Sequence, residues 1–117
     1  MRKSNSTNSA NEEYLMSVCD FNHVLKLIGG RWKSYILFSI ANGNNRYSLL
    51  KADIENISDQ VLSRQLKEME KDGLIIKTEI PNTIPNGILY SFTEMAESLV
   101  PHLRNICYWA MNNKYFR

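Results

Sequence analysis

The chain of 117 residues carries 14 lysines and arginines against 12 acidic residues, a net charge of +2, with 44% hydrophobic and 22% charged residues. That length supports one domain with a real core and excludes two independent ones, while apolar runs such as Tyr35 to Phe38 are far too short to cross a membrane. With so small a net charge, any nucleic-acid function must rest on where the cations sit and not on their number.

Residues 1–9 are polar, and Arg2 and Lys3 have no apolar stretch behind them. They read as a flexible tail and not as a secretion signal, so the protein is expected to stay in the cytoplasm. Residues 10–117 are expected to form a single domain. Phe21, Val24, Leu25, Leu27 and Ile28 recur at helical spacing, and Gly29 supplies a stop. A second helix starts at once. Trp32, Ile36 and Ile40 fall four apart, with Tyr35 and Leu37 beside them, and the helix ends near Asn42-Gly43. Gly29 and Gly30 allow a tight reversal, Trp32 is expected to fill the junction, and Arg31 and Lys33 remain on the polar side, for DNA phosphates or for plain solubility.

A short helix from about Ser48 to Asp53 carries Leu49 and Leu50, and Ser58 is placed to cap a longer helix over about 58–72 that breaks at Gly73. Two strands follow, within about 74–92, around a loop from Pro81 to Gly87. Thr93 then caps a last helix over about 93–115, whose apolar stripe is Met95, Leu99, Leu103, Ile106 and Ala110; Pro101 should bend it or remove one hydrogen bond. The fold class is therefore mainly α with a small β-hairpin wing (α+β), the layout of a winged helix-turn-helix.

On a helical wheel the 58–72 helix turns Leu62, Leu66 and Met69 to one face, and Gln60, Ser63, Arg64, Lys67 and Lys71 to the other. Gln60, Ser63 and Arg64 lie in the half of the helix that reaches base edges, and Arg64 suits a bidentate grip on guanine. Ser58, Lys67 and Lys71, with Lys77 at the wing base and Arg31, Lys33 and Arg46, suit backbone phosphates. At the wing tip Asn82, Thr83 and Asn86 suit the backbone or minor groove. Three other readings stay open: a merely solvated helix face, an ordinary long hairpin loop, and a winged helix that binds protein without DNA. Against the last, the cationic arc shows no apolar anchor.

Two cysteines, Cys19 and Cys107, are far apart and form no CxxC, so neither a metal site nor a disulfide framework is expected, and no cofactor is. His23 lies four residues after Cys19, but no orienting acid, oxyanion loop or phosphate-cradling glycine run accompanies them, so the chain is not read as an enzyme.

From Cys19 to Trp109 the chain resembles the HxlR-type regulators, a winged helix family related to the MarR group. The resemblance rests on Cys19 and the apolar helix into Ile28-Gly29-Gly30-Arg31-Trp32-Lys33, then Arg46-Tyr47-Ser48, Ile57-Ser58, Asp72-Gly73-Leu74, Pro81, Pro85 and Tyr90 through Thr93. It implies a homodimeric repressor on double-stranded DNA, with dimerisation helices at both chain ends. The apolar surface agrees, since Tyr14-Leu15-Met16 and the stripe running to Tyr115-Phe116 exceed what the core of one domain can cover. Leu15, Leu99, Leu103, Ile106 and Ala110 are the expected dimer contacts, and a two-fold dimer implies a pseudo-palindromic operator with half-sites roughly 34 Å apart. The resemblance also makes Cys19 a candidate sensor of an oxidant or other small-molecule effector, against a plain small apolar cysteine. A thiol at a helix N-terminus favours the thiolate, but Asp20 stands where the family usually has proline, and its charge opposes it. Cys107, beside the apolar stripe, reads as packing.

Overall fold

The computed structural model describes residues 5–81 and 87–116. The chain divides into two compact units, Met1–Arg31 and Trp32–Arg117.

The first unit is built on one helix, α1 (Asn5–Ile28). Residues 5–9, expected as a flexible tail, are helical: once a helix is nucleated, each further residue adds one hydrogen bond, and this segment contains neither glycine nor proline. Tyr14, Val18, Phe21 and Leu25 fall at helical spacing along one face and are exposed, as are Leu15 and Met16. The helix ends as the glycine pair predicts. A Cβ on Gly29 would lie 2.4 Å from the Leu25 carbonyl oxygen, and Gly30 has φ +90°, a left-handed conformation that side chains disfavour.

The second unit runs α2 (Lys33–Ala41), α3 (Tyr47–Asp53), α4 (Asp59–Lys71), β1 (Ile75–Ile80), β2 (Gly87–Phe92) and α5 (Glu94–Met111), followed by a 3-10 turn at Lys114–Phe116. β1 and β2 pair antiparallel, from Ile75 opposite Phe92 to Ile80 opposite Gly87. Ile36, Leu37 and Ile40 of α2 join Leu50 of α3, Leu62, Leu66 and Met69 of α4, and Ala96, Val100 and Leu103 of α5 in the core, closed by Leu74, Ile75 and Tyr90. At about 1.5–3 kcal/mol per fully buried aliphatic side chain, these contacts set the geometry of α4 more firmly than helix propensity does.

Several expectations are corrected. Within α5 the buried positions are Ala96, Val100 and Leu103, whereas Met95 is exposed, so the core face is rotated from the Met95, Leu99 stripe. Leu103, expected at a dimer contact, is a core residue of its own chain. The helix stops at Met111 and not near 115. Two asparagines follow, and the Asn113 side chain accepts a hydrogen bond from the Tyr115 backbone N–H at 3.0 Å, which competes with continued helix. Pro101 is accommodated inside the helix, where its missing N–H leaves the Glu97 carbonyl without the usual partner. Tyr35, expected beside the buried face, is exposed, with its ring tilted against Trp32 at a centroid distance of 6.1 Å. Among the described residues no helix is long and apolar enough to cross a membrane.

Candidate nucleic-acid interface

The helix-turn-helix is α3 and α4 with the turn between them. Ile54 and Ile57 are buried under that turn, and Asn56 takes a left-handed φ of 65°, which asparagine tolerates better than most side chains. The Lys51 ammonium donates to the Ile57 carbonyl and lies 4.0 Å from the Asp59 carboxylate, joining α3 to the start of α4. Ser58 caps α4 as expected, its hydroxyl oxygen accepting from the Val61 N–H at 3.1 Å. Asp59 in the first turn and Lys71 in the last complement the helix dipole.

Behind the motif, the Ser39 hydroxyl is buried and donates to Asp53 at 2.6 Å while accepting from the Asn44 side chain at 3.2 Å. This network holds the end of α2 to the end of α3. The wing is anchored from both sides. Tyr90 N–H donates to the Asn45 carbonyl at 2.9 Å, and the Thr93 hydroxyl donates to the Gly73 carbonyl at 2.6 Å while accepting from the Ala96 N–H at 3.2 Å. Thr93 thus caps α5 and ties it to the start of the hairpin.

The outward surface of α4 carries Gln60, Ser63, Arg64, Lys67 and Lys71, all exposed, opposite buried Leu62, Leu66 and Met69. Arg46, just before α3, and Lys77 of β1 are exposed as well. Lys33 is different. Its side chain is 14% exposed and pairs with Glu68 of α4 at 3.3 Å, so it ties α2 to α4 and is withdrawn from the phosphate-contact set. Arg31 belongs to the first unit, where it is exposed. Asn82, Thr83 and Asn86 lie outside the described residues.

Nothing in the sequence pattern marked Tyr47 for a role. Its hydroxyl donates to the Asp59 carboxylate at 2.8 Å, which clamps the N-termini of α3 and α4 together. Burial pushes its phenol above the ordinary value of 10.0; a hydrogen bond with Ser63 pulls the other way and the Asp59 carboxylate adds to the rise. Tyr90 is raised too, by burial first and then by the charges of Glu70 and Tyr47. These two tyrosines line a cleft of about 370 Å³ between α4 and the hairpin, together with Ser63, Leu66, Lys67, Glu70 and Lys77.

Both cysteines are exposed. Cys19 lies in the interior of α1, so the helix-terminus field invoked from the sequence does not reach it. Cys107, expected to be packed, is on the outer side of α5.

The HxlR-like helix-turn-helix family matches residues 27–116. The HTH-type transcriptional regulator YkvN of Bacillus subtilis (strain 168) is 40% identical over 91 residues, covering 78% of this chain and 76% of that protein. The crystal structure of ytcD, an HTH-type transcriptional regulator, superposes with a TM-score of 0.71 at 35% identity, over 79% of this chain and 93% of that one. The redox regulator HypR in its reduced form gives a TM-score of 0.75 at 26% identity, over 81% of this chain and 93% of that one. With the fold, the capped helix α4 and the hairpin in place, the chain belongs to the HxlR-like helix-turn-helix family of transcriptional regulators.

Proposed function

We propose that the protein is a homodimeric, sequence-specific DNA-binding repressor that acts by binding and not by catalysis, in the cytoplasm. The observation that carries this reading is the outward arc of α4, where hydrogen-bonding and cationic side chains stand opposite a buried apolar stripe. Gln60 and Arg64 read base edges in the major groove. Lys67, Lys71, Lys77 and Arg46 hold the backbone, with Ser58 at the helix start, Arg31 and the wing tip residues Asn82, Thr83 and Asn86 as further contacts. A second copy of the chain covers the exposed apolar residues of α1, including Leu15, and those near the end of α5, where Ile106 and Trp109 are 56% and 61% exposed and Leu99 and Ala110 half-buried. The dimer then presents two recognition helices to a pseudo-palindromic operator.

The test is fluorescence anisotropy on the DNA upstream of the protein's own gene and on an unrelated duplex, across a salt series. Tighter binding upstream, falling steeply as salt rises, is expected. Absence of binding to either duplex at low salt would favour a protein-interaction module instead.

An oxidant or electrophile response through Cys19 is the finer proposal. It draws on the similarity to HypR, a redox regulator, and on the exposure of the Cys19 thiol. Diamide should release the wild-type protein from DNA and leave Cys19→Ser bound; equal release of both would remove Cys19 from the mechanism.

A further inference from the structure

We propose that the cleft between α4 and the hairpin seats one backbone phosphate in each operator half-site, gripped by Ser63, Lys67 and Lys77 and positioned by Tyr47. The proposal rests on the DNA-binding reading and assigns Ser63 to the backbone, not to a base.

A recognition helix in the major groove and a wing against the adjacent minor groove lie on either side of one phosphodiester strand, so that strand must pass through the gap between them. In this protein the gap is the 370 Å³ cleft, large enough for a phosphate with several ordered waters at about 30 Å³ each. Ser63 and Lys67 enter it from α4 and Lys77 from β1, where it pairs with Tyr90. On the α4 wheel, Gln60 and Arg64 lie roughly opposite the buried stripe, whereas Ser63 is only about 90° from it, on the flank that faces the hairpin. A side chain on that flank meets the backbone before it meets a base.

Charge supports the assignment. The lining carries Lys67 and Lys77 against Glu70, a balance of two positive charges and one negative, which matches a singly charged phosphodiester. The other nearby acid, Asp59, is tied to the Tyr47 hydroxyl at 2.8 Å and to Lys51 at 4.0 Å. Tyr47 lines the same cleft and ties the start of α3 to Asp59 in the first turn of α4, one turn before Ser63, so it fixes the helix end from which the serine enters, and the serine hydroxyl can rotate to donate to a phosphate oxygen.

The experiment first selects an operator from a random duplex library with the wild-type protein, then replaces its phosphates one at a time by neutral methylphosphonate and measures affinity by anisotropy. One position per half-site should cost wild type on the order of tenfold. The same replacement should cost Ser63→Ala and Lys77→Ala much less, because the contact is already lost, while penalties elsewhere stay as in wild type. Tyr47→Phe, which keeps the ring, should shrink the penalty at that same position only. Ser63→Ala changing the selected base at one position, or unchanged phosphate penalties in all three variants, would overturn the seat while leaving DNA binding intact. Failure to select any operator would overturn the DNA-binding reading, and the seat with it.

Discussion

Replacing Thr93 by valine removes one hydroxyl, leaves the side-chain volume nearly unchanged, and tests how the wing is fastened to the helical body. The hydroxyl oxygen accepts from the Ala96 N–H at 3.2 Å as the cap of α5, and its hydrogen goes to the Gly73 carbonyl at 2.6 Å. Loss of a threonine cap costs about 1 kcal/mol, and loss of a part-buried hydrogen bond to a carbonyl costs about 1 kcal/mol more. The expected destabilisation is thus roughly 2 kcal/mol, which for a domain of this size lowers Tm by roughly 8 °C. Thermal unfolding followed by circular dichroism at one fixed protein concentration measures it, since any dimer makes Tm concentration-dependent. Thr93→Ser keeps both hydrogen bonds and should stay within about 0.5 kcal/mol of wild type. A valine variant that melts with wild type, or a serine variant that falls as far as valine, would refute the reasoning, because then the hydroxyl would not be what joins hairpin and helix.

Arg64→Ala should cost about 1–3 kcal/mol on cognate DNA and relax preference at one base pair; equal losses on cognate and random duplexes would rule out base reading. Lys71→Ala should weaken binding to all sequences alike and flatten the plot of log affinity against log salt by about one unit. Met69 is fully buried, so Met69→Ala should destabilise by about 2–5 kcal/mol, read as a lower midpoint in urea with an unchanged slope. Tyr47 and Tyr90 have phenols raised above 10.0 in the folded protein, so above that pH the unfolded chain releases protons that the folded chain retains. Stability should therefore be independent of these groups below pH 10 and fall as pH rises beyond it, and Tyr90→Phe should make that alkaline decline shallower.

Features that depend on neighbours within one turn were legible from the sequence. Ser58 and Thr93 cap α4 and α5 because a hydroxyl just before a helix meets an N–H three residues on, and both bonds are present. Leu62, Leu66 and Met69 are buried because residues three and four apart share one side of a helix. Gly29 and Gly30 end α1 because the local backbone admits little else. The family resemblance rested on such local segments, and the match over residues 27–116 agrees with it. Tertiary structure decided what depends on partners distant in sequence. Lys33 looked like a free cation until the fold set it against Glu68 of α4. Tyr47 became the clamp on Asp59, and Thr93 the tie to Gly73, only because the fold brought separate elements within hydrogen-bond reach. The face of α5 that is buried was likewise beyond the sequence, since Met95 and Leu99 are as apolar as Val100 and Leu103. Periodicity says that a helix has an apolar side, but where that side is broad, only the shape of the surface it meets selects the residues that leave water.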